Sequence, residues 1–112
     1  MPALIVIAPA NKAANVSANV IITCVAVGNL PIELEWFNES TQMAENPRVK
    51  IKRSTESKSY RVNSTLTVER LVLEDTRQYS CRVKNTFGND FRTFHIKAQR
   101  KHFLCIQVKL KL

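Results

Sequence analysis

The residues of this chain best equipped for chemistry are three cysteines, Cys24, Cys81 and Cys105, two histidines, His95 and His102, and three asparagines that open Asn-x-Ser/Thr triplets, Asn15, Asn38 and Asn63. Thiolates and imidazoles are the usual ligands of a structural zinc site, but such sites need paired ligands at short spacing, and no Cys-x-x-Cys pair occurs. Neither a metal nor a cofactor is expected. Nucleophilic catalysis requires a nucleophile, a base and a group that orients the base. His95 falls in a strand-like run and His102 in a basic tail, and no such trio assembles around either. The only glycines are Gly28 and Gly88, so no glycine-rich phosphate loop exists. The chain is therefore expected to bind and not to catalyse. The triplets at Asn15, Asn38 and Asn63 are acceptors for N-linked glycans, none blocked by proline. An odd number of thiols leaves one cysteine without a partner inside the chain.

The elements that must position these residues are strands. Apolar residues recur with a period of two in short runs separated by Asn, Pro, Gly and Ser clusters, the pattern of an all-β sandwich. Seven or eight strands are predicted: Ala3 to Ala8 with an edge continuation near Asn11 to Asn15, Ala18 to Val27, Ile32 to Asn38, Arg48 to Lys52, Ser64 to Arg70, Gln78 to Asn85, and Phe91 to about Ala98. Alternation sends Val20, Ile22, Cys24 and Ala26 to the core, with Ile32, Leu34 and Trp36, then Leu66 and Val68, then Tyr79, Cys81 and Val83. Asn85 to Asp90 has hairpin composition, with Gly88 expected at positive φ. At 112 residues there is room for one domain, predicted over residues 1–98, followed by a basic tail over 99–112.

Two inward cysteines, Cys24 and Cys81, lie on separate strands with the inward Trp36 between them in sequence, and packing two sheets face to face would bring all three together. Cys24, Trp36 twelve residues later, Ser64-Thr65-Leu66-Thr67-Val68, Leu73-Glu74-Asp75-Thr76-Arg77-Gln78-Tyr79-Ser80-Cys81 and Asn85-Thr86-Phe87-Gly88, in this order and spacing, resemble the intermediate set of the immunoglobulin superfamily over residues 3–98. The resemblance implies a two-sheet antiparallel sandwich with Greek-key topology and a Cys24–Cys81 disulfide packed on Trp36. It also implies a core that includes Leu66 and Leu73, a tyrosine corner at Tyr79, and an ion pair between Arg48 and Asp75. Arg77 departs from the family pattern, which has a small residue there.

The +8 formal charge divides evenly: residues 1–98 carry thirteen Lys/Arg against nine Asp/Glu, and residues 99–112 carry Arg100, Lys101, Lys109 and Lys111 with no acid. No nucleic-acid recognition motif accompanies this charge, so no nucleic-acid partner is expected. The cations Arg48, Lys50, Lys52, Arg53, Lys58 and Arg61 are candidates for a heparan sulfate stripe, or a solvated edge that resists aggregation. The outer face of the third, sixth and seventh strands carries Glu33, Glu35, Phe37, Arg82, Lys84, Phe91 and His95, a candidate protein-binding face whose opposite charges also suit cross-strand pairing. No apolar run reaches the roughly 20 residues of a membrane-spanning helix, and the opening residues lack the basic start of a secretory signal. The resemblance implies a module of a cell-adhesion or receptor protein, extracellular or at the cell surface as part of a larger protein. The alternative is a structural domain of an intracellular giant of the titin kind. Phe103 to Leu112 alternates apolar and basic residues without a turn signal and fits the start of a following strand, an interface element or sequence read past an exon boundary. A native tail would make Cys105 a candidate for an intermolecular disulfide.

Overall fold

A computed structural model describes residues 1–100; residues 101–112, and with them His102 and Cys105, lie outside the described residues. The strands are β1 (Leu4–Ile7), β2 (Lys12–Asn15), β3 (Val20–Val27), β4 (Glu33–Asn38), β5 (Thr41–Gln42), β6 (Val49–Glu56), β7 (Arg61–Val68), β8 (Arg77–Asn85) and β9 (Gly88–Gln99). They form two sheets in the orders β1-β3-β7-β6 and β2-β9-β8-β4-β5. All neighbouring strands are antiparallel except β2, which runs parallel to β9 from Lys12↔Ile96 to Asn15↔Gln99. The expected two-sheet antiparallel sandwich is found, with one parallel pairing at this edge. The chain leaves the first sheet at Pro9 and joins the second without reversing direction, which only a parallel pairing permits.

The inner faces follow the alternation of apolar residues. Val20, Ile22, Cys24 and Ala26 of β3 are buried, as are Val62, Leu66 and Val68 of β7, Tyr79, Cys81 and Val83 of β8, and Phe94, Ile96 and Ala98 of β9. Leu34, expected inside, is only partly buried against the core. Cys24 and Cys81 join the sheets through a disulfide that spans 57 residues of sequence. Trp36 lies opposite Cys81 on β4, and its ring meets Phe94 edge-on at 5.9 Å. A buried indole N–H needs an acceptor. Trp36 Nε1 donates to Ser64 Oγ at 2.9 Å, and the Ser64 hydroxyl donates to the Lys52 carbonyl at 3.0 Å. Ser64 is the buried polar residue of the core among the described residues, and its two bonds remove the cost of burying it.

The corner before β8 corrects one expectation. Leu73 is 38% exposed, and Leu71 is the fully buried leucine of this corner. The reason is local: Leu71 is held between Ser17 N–H, which donates to its carbonyl, and the Ala18 carbonyl, which accepts from its N–H. Leu73 instead opens a 3-10 turn, Leu73–Asp75. Leu71→Ala should therefore cost about 2–5 kcal/mol of stability and Leu73→Ala less than about 1 kcal/mol, a contrast that urea unfolding will read. Equal costs would contradict the assignment.

Tyr79 sits at the same corner, its hydroxyl donating to the Asp75 backbone carbonyl at 2.7 Å, its ring stacked on Phe94 at 5.7 Å. Burial, helped by the Asp75 carboxylate, pushes its phenol up to about 12, with Arg77 and Arg48 opposing. Because the folded state favours the neutral phenol, this contribution to stability is whole below the unfolded value of about 10 and is lost as pH rises through about 12. Unfolding midpoints should fall steeply across that window, and Tyr79→Phe should flatten the fall.

The expected positive φ at Gly88 is not found; Gly28 has it, at 152°. Gly88 is required by space, since a Cβ there would lie 2.9 Å from Pro2 Cβ. The hairpin turns over Thr86–Phe87, with Asn85 paired to Gly88 and Asn85 Oδ1 accepting from Phe87 and Gly88 N–H, each at 3.0 Å. The same Asn85 Oδ1 accepts from Ala3 N–H at 3.2 Å, and Asp90 Oδ2 accepts from Ile5 N–H at 3.0 Å. These side chains satisfy N–H groups of the β1 segment that an edge strand would leave bare. Burial raises the Asp90 carboxyl, but the bonds from Ile5, Arg92 and Phe91 outweigh it and hold the group below its ordinary range.

Candidate functional site

The register of β4, β8 and β9 arranges the candidate face in rows. Glu33 lies opposite Lys84, Glu35 opposite Arg82 and Phe37 opposite Ser80. Across the next ladder, Arg82 meets Phe91, Ser80 meets Thr93 and Gln78 meets His95. Acids therefore line β4 and cations line β8. Arg82 Nη2 bonds Glu35 Oε1 at 3.3 Å, and Lys84 Nζ lies 4.0 Å from Glu33 Oε1. Arg82 also places its guanidinium 4.6 Å from the centroid of the Phe37 ring, and Glu35 accepts from Gln42 Nε2 of β5 at 3.4 Å. Exposed pairs of this kind contribute about 0.2–1 kcal/mol each, and the cation–π contact about 0.5–1 kcal/mol. His95 is exposed, and its backbone N–H donates to Asn11 Oδ1 at 2.8 Å.

Phe91 stands apart from this pairing. The residue is 58% exposed and, with Phe37, Glu39, Ser40, Ser80 and Arg82, lines a depression on this face. An exposed aromatic beside an arginine and a second ring is the composition favoured at the centre of protein interfaces, where fixed apolar area and a weakly hydrated cation can be covered together.

The basic stripe is largely taken apart by the fold. Arg48 leaves it to bond both Asp75 oxygens at 3.0 and 3.2 Å and the carbonyls of Glu69 and Arg70; the bond to Asp75 raises its pKa despite burial. Arg53 reaches across to the Ile32 carbonyl, and Arg61 Nε lies 3.9 Å from Glu56. Lys50 and Lys52 remain on the outer side of β6, and Lys58 sits in the 3-10 turn Ser57–Ser59. Arg77, the departure from the family pattern, is accommodated at the surface, bonding the Glu74 carbonyl at 3.1 Å and Glu39 at 3.4 Å.

The three acceptor asparagines differ in setting. Asn15 ends β2, exposed, in a turn closed by Ala18 N–H on its carbonyl. Asn63 lies mid-strand on β7, between Val25 and Ser54. Asn38 ends β4 and lines the cleft between the sheets with Asn46, Arg48, Asp75 and Tyr79. Among the described residues no cluster of His, Cys, Asp or Glu is arranged to hold a metal, and no helix is long and apolar enough to cross a membrane.

The immunoglobulin I-set domain profile matches residues 3–98. Junctional adhesion molecule A of Homo sapiens is 32% identical over 107 residues, covering 86% of this chain and 35% of that protein. The chain thus spans about a third of that relative's length. Among solved structures, the titin M3 domain superimposes with a TM-score of 0.76 at 20% identity, over 88% of this chain and 98% of that one. A chain of the titin M10 and obscurin-like 1 Ig complex does so with a TM-score of 0.78 at 18% identity, over 88% and 95%. At these identities the structural likeness speaks to the fold, while the profile and the adhesion-molecule relative speak to descent. The chain belongs to the immunoglobulin superfamily, as a member of its I-set domain family.

Proposed function

We propose that residues 1–98 are a non-catalytic recognition domain of a cell-adhesion or receptor protein, extracellular or at the cell surface, that binds another protein through the outer face of β4, β8 and β9. The observation that carries this reading is Phe91, a residue 58% exposed beside the Arg82–Phe37 contact, where it adds little to the fold and much to a covered interface. The adhesion-molecule relative supports the same class. The Cys24–Cys81 disulfide suits an oxidising compartment.

The test is binding of the multimerised domain to cells of its source tissue. Phe91→Ser or Arg82→Glu should each weaken binding by roughly thirtyfold, the effect of losing an interface anchor worth about 2 kcal/mol. Lys50→Glu on the opposite sheet should bind as wild type. Binding that tolerates both face variants, or that responds as strongly to Lys50→Glu, would refute the assignment. The rival reading is a structural domain of a titin-like intracellular protein, whose solved domains share this fold. It requires reduced cysteines.

A further inference from the structure

The outer face of the other sheet is divided into an apolar and a polar half. Across its rows, Leu4 pairs with Val27 and Ile7 with Val25. Val25 pairs in turn with Asn63, Thr23 with Thr65 and Ile21 with Thr67. The β1 and β3 columns therefore present Leu4, Ile7 and Ile21, which are 51%, 51% and 58% exposed, with Val25 itself only 4% exposed and Thr23 exposed in the same column, while β7 presents Arg61, Asn63, Thr65 and Thr67. Soluble domains seldom leave a contiguous apolar strip on a sheet face uncovered. Charged residues stand at Arg61 of β7, beside Val27, and along the far edge at Lys50, Lys52 and Glu56 of β6.

Asn63 lies beside Val25, in the row that ends at Ile7, and it opens an Asn-Ser-Thr acceptor triplet. Its neighbours Val62 and Ser64 point into the core, so Asn63 and the Thr65 hydroxyl that completes the triplet stand side by side on the outer face. The Asn63 amide makes one long bond, to Ser54 Oγ at 3.4 Å, and no bond of the core depends on it. We propose that Asn63 carries an N-linked oligosaccharide whose first sugars extend past the buried Val25 toward Ile7, two strand spacings or about 10 Å away, and shield the exposed aliphatic residues of this face. Pyranose rings have apolar C–H faces suited to aliphatic side chains and hydroxyl edges suited to water, so one such chain covers the strip without creating a new apolar surface. Asn38, by contrast, faces the cleft beside Asp75 and Tyr79, where a glycan would obstruct closure of the corner; it remains bare. Asn15, exposed at the end of β2, accepts a glycan but lies on the other sheet.

This proposal rests on the extracellular reading above, and the experiment separates the two. Protein recovered from cells that express it naturally is treated with peptide N-glycosidase in heavy-oxygen water and mapped by mass spectrometry, which marks each formerly glycosylated asparagine as labelled aspartate. In parallel, cysteines are alkylated before and after reduction. The expected result is label at Asn63 and none at Asn38, with Cys24 and Cys81 alkylated only after reduction. Native enzymatic deglycosylation should then raise the fluorescence of an apolar dye several-fold, a rise matched by Asn63→Gln and abolished when Ile7→Ser and Ile21→Ser are added. An unlabelled Asn63 beside a labelled Asn15 and an oxidised disulfide overturns this proposal and leaves the extracellular reading standing. Bare asparagines with freely alkylated cysteines overturn both. A labelled Asn63 with no dye response overturns the shielding.

Discussion

Replacing Cys24 and Cys81 together by alanine should lower the unfolding free energy by about 4 kcal/mol, the chain-entropy value for releasing a loop of this length. The bridge spans 57 residues, so in its absence the unfolded chain gains the freedom of more than half its length. Both half-cystines are fully buried, and the shortened side chains leave a gap against Trp36 that adds to the loss. For a domain of this size the melting temperature should fall by roughly 15–30 °C. Circular dichroism melts of the wild type, the double variant and the reduced wild type will read this. The reduced protein, which keeps both sulfurs, should melt above the double variant by the cost of that gap. An unchanged midpoint in both would show that sheet packing alone holds the sandwich closed.

Trp36→Ala should cost about 3–5 kcal/mol, the usual range for deleting a large buried aromatic. The buried indole meets Phe94 edge-on from a position paired with Cys81, and its N–H is matched to Ser64. The polar part of that cost can be isolated. Ser64→Ala with Trp36 intact leaves a buried donor without an acceptor and should cost about 1–3 kcal/mol. The same serine change beside Trp36→Phe, where no N–H exists, should cost less. Urea midpoints of the four proteins form a double-mutant cycle, and a coupling near zero would mean that the Trp36–Ser64 bond contributes nothing net.

Short-range alternation carried most of what could be read without coordinates. In Val20 to Ala26 it separates the core face from the outer one residue by residue, and in Glu33 to Phe37 it puts the acids and Phe37 on the face away from Trp36. Long-range geometry was not legible. The partner of the Trp36 N–H lies on β7, 28 residues away, and the acceptors for Ala3 and Ile5 N–H lie on the β8–β9 hairpin, more than 80 residues away. No local pattern signals either. Leu71 and Leu73 both fit a corner that has no period, and only the two backbone bonds to Leu71 decide between them. Gly88 looked like a conformational glycine, but the space it yields to Pro2 depends on where β1 begins. In the candidate face, opposite charges on neighbouring strands were visible as types, while the row that sets Glu35, Arg82 and Phe91 side by side depends on register. The basic stripe failed for the same reason. Arg48, Arg53 and Arg61 are near in sequence yet each is drawn to a different partner.

The claim that this domain works outside the cytosol is tested most directly by the redox state of Cys24 and Cys81 in the native cell. Cells are quenched in acid, free thiols are blocked, and the pair is then reduced and labelled with a second reagent. The account predicts that both cysteines carry only the second label. Both carrying the first label, in protein that still folds, would contradict it and favour the intracellular structural role.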